Sequence, residues 1–244
     1  MKRFGLIGQS LKHSFSPSYF TKKFSEQGLA DHIYQAFEIS DISEFPALLK
    51  NYPDLAGLNV TLPYKSEVIQ FLDEKNELVE KSGACNCIKI SNGKLSGFNT
   101  DIPGFRRSLE PHLKPWHRSA LVLGTGGASR AVRYVLKELN IDFKTVSREI
   151  LKGDLLYTDL DKKIMAEHTL IINTTPLGTS PDLTACPPIP YELLTEKHLC
   201  FDLIYNPPQT EFLKRAKQNG AHIVNGFEML VVQAEESWRI WQQP

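Results

Sequence analysis

The chain has 244 residues, 41% hydrophobic and 23% charged, and its 28 basic and 28 acidic side chains leave a formal net charge of zero. That length holds one large domain or two modest ones. The balanced charge, with no Lys/Arg block and no aromatic-basic interleaving, gives no nucleic-acid footprint. No apolar run reaches membrane-spanning length, and the apolar part of the opening MKRFGLIGQSLKHSF breaks at Gln9, too short for a signal peptide; a soluble, cytoplasmic protein is expected.

Strand-like and helix-like segments alternate from the start. RFGLIG reads as a short buried strand, and SPSYFTKKFSEQG as a helix with Ser16 at its cap, Pro17 in its first turn and Gly28 past its end. HIYQAFEI is a strand, DISEFPALLK a helix and LAGLNVTLP a strand, followed by helical KSEVIQFL and EKNELVEKSG. ACNCIKISNGKLSGF is a hairpin turning at Asn92-Gly93, a dipeptide suited to the left-handed turn. IPGFRRSLEPHL is a linking helix. The pattern restarts at Ser119: SALVLG is a strand, GTGGASRAVRYVLKELN a turn and helix, DFKTVSR a strand, LDKKIMAEH a helix and LIINTT a strand. After a proline-rich loop come HLCFDLIY as a strand, QTEFLKRAKQNG as a helix, AHIVN as a strand and a final helix with an apolar stripe of Leu230, Ala234, Trp238 and Trp241. Repeated strand-helix-strand units imply parallel sheets with helices on their faces. The restart places a domain boundary near residue 102.

Cys85, Cys87, Cys186 and Cys200 form no disulfide framework for a chain of this size. Cys85 and Cys87 could in principle bind a metal, but no second pair stands at ligand spacing and no H-E-x-x-H occurs; small buried residues at a strand start are the better reading, and no metal site is expected.

Two stretches carry chemistry. In GLNVTLPYK, Leu58, Val60 and Leu62 alternate with polar residues as in a half-buried strand, so Asn59 and Thr61 share the opposite face, and Lys65 follows Pro63. In LVLGTGGASRAV, Gly124, Gly126 and Gly127 lie between a strand and a helix, where backbone N–H groups can approach a pyrophosphate; Ser129 stands at the usual third glycine. An NAD site places an acid at the end of the next strand, roughly twenty residues on, whereas an arginine accommodates a 2′-phosphate. Val146-Ser147-Arg148 therefore favours NADP, although Glu149 would repel a phosphate if it faced the same way.

Taken together, HSFSP, GLNVTLPYK, GACN, GFNTD, GTGGASRA, INTTPLG, DLIYNPPQT and NGFEMLVVQA resemble, in residues, order and spacing, the shikimate dehydrogenase family, from Ser14 to Gln233. That resemblance implies NADPH-dependent, reversible reduction of 3-dehydroshikimate to shikimate on the route to chorismate and the aromatic amino acids. It implies an α/β fold of two domains: residues 1–102, completed by a C-terminal helix from about 228, for the substrate, and a Rossmann-type NADP domain over 103–227, with the active site in the cleft between them. By the same resemblance Lys65 is the catalytic lysine and Asp101 its acidic partner. Ser14 and Ser16 correspond to the hydroxyls that hold the substrate carboxylate. Asn59, Thr61, Asn86, Tyr205 and Gln233 correspond to residues around the ring hydroxyls. Gly124, Thr125, Gly126, Gly127, Ala128, Ser147, Arg148, Thr174 and Thr175 correspond to residues along the cofactor, and Leu203, Gly226 and Met229 to residues around the nicotinamide. A lysine beside a carboxylate suits the chemistry, because hydride transfer at a secondary alcohol needs a group that gives or takes the hydroxyl proton.

Each residue also has a bland role. Ser14, Ser16 and Pro17 suit a helix start, Asp101 a helix cap, Asn225-Gly226 a turn and Gln233 a solvated helix face. The chain departs from the family pattern in carrying Phe20 and Thr21 where a His-Asn pair is common, Cys87 where a Thr is common, and Glu149 after the arginine. A quinate or dual-specificity enzyme on the same fold, and a sensor that binds NADP and a polyol acid without turnover, are the alternatives. Small molecules are the expected partners, and the chain is expected to be a monomer or a homodimer.

Overall fold

The computed structural model describes residues 1–12 and 14–243; His13, in the HSFSP segment, and Pro244 lie outside the described residues. The chain divides into two compact units, Met1–Pro103 with Val232–Pro244, and Gly104–Val231.

The first unit is built on a six-stranded sheet in the order β2-β1-β3-β5-β6-β4. Its strands are β1 (Lys2–Gly8), β2 (His32–Glu38), β3 (Leu55–Val60), β4 (Glu74–Lys75), β5 (Cys87–Ser91) and β6 (Lys94–Phe98). The helices of this stretch are α1 (Phe15–Glu26), α2 (Phe45–Asn51), α3 (Glu77–Ser82) and α4 (Asp101–Leu109), the last running on into the second unit. The sheet is mixed rather than parallel, because the Asn92-Gly93 turn, with both residues at positive φ, folds β5 back on β6 and sets β5 antiparallel to β3. One face packs on Phe45, Leu48 and Val79. The other packs on Phe20 and Phe24 of α1 and on Ala234, Ile240 and Trp241 of the C-terminal helix. Fully buried aromatics of this kind contribute about 2 kcal/mol each.

Several expectations shift here. Ser14, not Ser16, occupies the α1 cap position, and its side chain makes no capping bond. The β3 strand ends at Val60, short of Pro63. It lies between β1 and β5 and is buried on both faces, so Asn59 is enclosed rather than set on an open face. DISEFPALLK splits into a 3-10 turn and α2, the turn being fixed by a capping box between Asp41 and Glu44. The two-residue strand β4 carried no legible signal.

The second unit has six strands, β7 (Ser119–Leu123), β8 (Asp142–Ser147), β9 (Leu155–Leu156), β10 (Leu170–Asn173), β11 (Leu199–Asp202) and β12 (His222–Val224). Their order is β12-β11-β10-β7-β8-β9, and every pairing is parallel. This is the doubly wound dinucleotide-binding order, which reverses between β7 and β10 and leaves a crevice at the strands' carboxyl ends. The helices are α5 (Gly127–Glu138), α6 (Lys162–Glu167), α7 (Glu211–Gln218) and α8 (Phe227–Trp241), the last running on into the first unit. All of β10 and β11 is buried, as parallel strands covered on both faces require. The third-glycine position holds Ser129, which is fully buried and donates to Gly126 O at 2.7 Å, so a small residue does close the α5–sheet contact. The expected strand 198–205 stops at Asp202, and β9 was not anticipated. Among the described residues no helix is long and apolar enough to cross a membrane.

Candidate active site

Lys65 sits in the turn that follows β3. That turn is pinned from three sides: Tyr64 N–H donates to Thr61 O (3.0 Å), the buried Tyr64 hydroxyl donates to Ile39 O (2.7 Å), and Cys85 N–H donates to Lys65 O (2.7 Å). Its Nζ lies 2.7 Å from Asp101 Oδ2, with the two side chains 26% and 15% exposed, so the pair is sheltered yet reachable. Asp101 opens α4 but does not cap it. Asn99 does: its Oδ1 accepts from Ile102 N–H (3.1 Å), while its Nδ2 donates to Ser82 Oγ (3.0 Å) and Ala84 O (2.9 Å). The Asp101 carboxylate is thereby left for the lysine.

The amide side chains nearby are tied to the protein. Asn86 Oδ1 accepts from Thr100 N–H (2.6 Å) and its Nδ2 donates to Thr100 Oγ1 (3.0 Å). Asn59 Nδ2 donates to Ser237 Oγ (2.8 Å) and to Asn86 O (3.3 Å), and Asn59 Oδ1 accepts from the Tyr34 hydroxyl (2.8 Å). The Ser16 hydroxyl neighbours the Tyr34 phenol, whose pKa burial drives well above its ordinary value. Thr61 Cγ2 lies against Gly8, where any Cβ would come within 2.5 Å of it. Gln233 belongs to the same unit, whereas Tyr205, half-buried beyond β11, belongs to the other. No local pattern singles out Tyr34 or Ser237, because a tyrosine in a strand and a serine in a helix are ordinary.

In the second unit Gly124, Thr125, Gly126, Ser147, Arg148, Thr174 and Thr175 border one groove of about 380 Å³. Gly124 has a φ of +102°, and a Cβ there would press on Thr174 Oγ1 and Thr175 Cγ2 at 3.0 Å. A Cβ on Gly126 or Gly127 would meet nothing within 4 Å, so these glycines leave open space before the exposed start of α5 rather than accommodate protein. That space, lined by helix N-terminal N–H groups, suits a pyrophosphate. At the far side Ser147 Oγ accepts from Glu149 N–H (3.1 Å), leaving its own proton to donate. Glu149 is paired with Lys152 at 2.9 Å, which offsets its charge beside Arg148. Tyr157 also borders the groove, its phenol pushed up to about 12 by burial.

Leu203, Gly226 and Met229 are not among the residues bordering this groove. Gly226 is pressed against Leu203, whose carbonyl oxygen a Cβ would meet at 2.1 Å, and Met229 is buried in the first turn of α8. Behind Thr175 stands a carboxylate that no sequence motif marks. Fully buried Asp202 accepts from Asn173 Nδ2 (3.0 Å), Ile204 N–H (3.1 Å) and Thr210 Oγ1 (2.5 Å), and Asn173 Oδ1 in turn accepts from Thr175 Oγ1 (2.7 Å). Burial pushes its carboxyl up to about 6 against these three donors, which pull it down. The family's common threonine is replaced by Cys87, which is fully buried, as is Cys85; burial pushes the Cys85 thiol up to about 12. Phe20 is also fully buried and stacks on Tyr34, with ring centroids 4.6 Å apart.

A doubly wound unit with an open glycine turn and a basic strand end, in one chain with a sheltered lysine–carboxylate pair, defines a two-unit, dinucleotide-dependent oxidoreductase. Residues 6–88 match the shikimate dehydrogenase substrate binding domain. Over 261 aligned positions the chain is 37% identical to the NADP(+) shikimate dehydrogenase of Methanococcus maripaludis, covering 98% of this chain and 91% of the relative. Shikimate 5-dehydrogenase of Thermus thermophilus, solved with NADP(H) and shikimate, superposes with a TM-score of 0.87 at 32% identity, over 99% of this chain and 94% of that one. Quinate dehydrogenase of Corynebacterium glutamicum, solved with NAD, gives 0.88 at 26% identity, over 99% and 93%. The chain belongs to the shikimate dehydrogenase family.

Proposed function

We propose that this protein interconverts 3-dehydroshikimate and shikimate with NADPH and NADP⁺, with Lys65 and Asp101 handling the proton. The observation that carries this is the 2.7 Å contact between Lys65 Nζ and Asp101 Oδ2, with both side chains partly exposed. Lys65 is the proton donor to the ketone oxygen in reduction and the acceptor in oxidation, and Asp101 orients its amine. Ser14 and Ser16 hold the substrate carboxylate; Asn59, Thr61, Asn86, Tyr205 and Gln233 meet its hydroxyls. A small polyol acid calls for such partners, because a site built to hydrogen-bond each hydroxyl rejects analogues that lack one.

The bound nicotinamide cofactor supplies the hydride. For its binding we assign Gly124, Thr125, Gly126, Gly127 and Ala128 to the pyrophosphate, Ser147 and Arg148 to the 2′-phosphate, Thr174 and Thr175 to the nucleotide's flank, and Leu203, Gly226 and Met229 to the nicotinamide. Residues 1–102 with the C-terminal helix from about 228 form the substrate domain, and 103–227 the cofactor domain. Free, buried Cys85, Cys87 and Cys200 accord with a reducing compartment such as the cytoplasm.

Superposition on a quinate dehydrogenase as well as on shikimate dehydrogenases keeps quinate as a second substrate to test. Purified protein is assayed for NADP⁺ reduction with shikimate, beside quinate, NAD⁺ and Lys65→Ala. Turnover on shikimate with NADP⁺, reduced about 10²- to 10⁴-fold in the variant while both ligands still bind, is expected. Equal turnover with quinate or NAD⁺ would move the chain to a dual-specificity enzyme. Tight NADP⁺ binding without turnover on any pair would leave a sensor.

A further inference from the structure

A continuous hydrogen-bond path runs through the first unit and joins residues assigned above to the substrate by way of two residues that have no role there. Tyr34, on β2, donates its hydroxyl proton to Asn59 Oδ1 (2.8 Å). Asn59 Nδ2 donates to Ser237 Oγ (2.8 Å), and Ser237 Oγ donates to the backbone carbonyl of Gln233 (2.9 Å), one turn earlier on the C-terminal helix. The Ser16 hydroxyl stands beside the Tyr34 phenol at the other end. One amide thus ties β2 and the C-terminal helix to the end of β3, and the first turn of α1 stands against the Tyr34 end of the path.

The path also fixes which way that amide faces. A primary amide has two N–H donors and two carbonyl lone pairs. Asn86 O is a backbone carbonyl and can only accept, so the nitrogen of Asn59 must lie on its side, at 3.3 Å. Ser237 spends its single proton on Gln233 O and so accepts from the second Asn59 N–H. Both donors are committed, and one carbonyl lone pair is held by Tyr34. What Asn59 has left is a single acceptor site.

We propose that Tyr34 and Ser237 are positioning residues that lock Asn59 as a hydrogen-bond acceptor, so that it takes the proton of a substrate hydroxyl and cannot serve a carbonyl or ether oxygen. The inference rests on the functional assignment above. Ser237 is fully buried and Tyr34 is stacked on Phe20, so the frame around the amide is rigid. Removing the Tyr34 hydroxyl frees a second carbonyl lone pair, and removing the Ser237 hydroxyl frees an N–H; with either gone, the weaker 3.3 Å bond to Asn86 O holds the amide with one fewer restraint.

The test is steady-state kinetics on wild type, Tyr34→Phe, Ser237→Ala, Ser237→Thr and the Tyr34→Phe/Ser237→Ala double variant, with thermal melts. Tyr34→Phe keeps the stacked ring, and Ser237→Thr keeps the hydroxyl. Each single deletion should raise KM for shikimate about two- to tenfold, the worth of one neutral hydrogen bond. KM for NADP⁺ should not change, and the threonine variant should stay near wild type. The double variant should be no worse than about twice the poorer single variant, because both act through one amide. Unchanged shikimate KM in both singles, effects that multiply in the double, or equal rises in both KM values would overturn the inference while leaving the assigned activity in place. Failure of wild type to turn over shikimate would remove the functional assignment and this inference together.

Discussion

Replacing Asp202 by Asn tests whether the second unit carries a carboxyl that burial keeps close to neutrality. The side chain is wholly enclosed, and its carboxyl is pushed from an ordinary 3.8 up to about 6. The difference is roughly two pH units, worth about 3 kcal/mol at about 1.4 kcal/mol per unit. The sign follows from which form the fold prefers. The folded pKa is above the unfolded one, so the folded state holds the proton more tightly. The stabilisation is fully present below pH about 4 and is lost as pH rises through about 6. An asparagine keeps two of the three contacts as they stand, its carbonyl accepting from Asn173 and Ile204, and reverses the third, its N–H₂ donating to Thr210. Urea unfolding of wild type and Asp202→Asn, followed by circular dichroism across pH 4 to 8, isolates this group because other titrations cancel in the difference. The variant should gain on wild type by about 3 kcal/mol over that span, most of it between pH 4 and 6.5. A flat difference curve would mean that Asp202 titrates at its solvent value, and the account of its environment would be wrong.

Arg148→Ala should weaken NADP⁺ binding about 10- to 100-fold, the worth of a charge-assisted phosphate contact, and leave NAD⁺ binding unchanged; calorimetric titration with both dinucleotides checks it. Gly226→Ala places a methyl 2.1 Å from the Leu203 carbonyl oxygen, so the chain beyond β11 must shift. A loss of about 1–3 kcal/mol in urea unfolding is expected, and a variant as stable as wild type would refute the contact. Phe20→His restores the residue common in the family, yet here it removes a fully buried ring stacked on Tyr34. Thermal and urea melts should show a loss of about 2–4 kcal/mol.

Much of this protein is legible in single segments. Several of the second unit's strands are short apolar runs alternating with helix-like segments, and glycine followed by a helix marks the β7–α5 turn, so its parallel architecture follows from local pattern. Asn92-Gly93 marks its hairpin because only residues tolerant of positive φ complete that turn. Lys65 and Asp101 could be named only because the segments around them resemble the family's, whereas the glycine turn and Arg148 stand at positions where a dinucleotide site places such residues. What the sequence could not disclose depends on neighbours remote in the chain. Asn59 sits at the alternation expected of a half-buried strand, but its strand is covered on both faces once β1 and β5 flank it. Its partners Tyr34 and Ser237 lie 25 and 178 residues away, and no local pattern records such a pairing. Asp202 reads as a strand residue like any other until Asn173 and Thr210 close over it. The cap of α4 falls to Asn99 because Ser82 and Ala84 hold its amide, which leaves Asp101 for Lys65. Periodicity and glycine placement are properties of a segment and survive in the sequence; burial and hydrogen-bond partnership belong to the packed chain, and tertiary structure alone decides them.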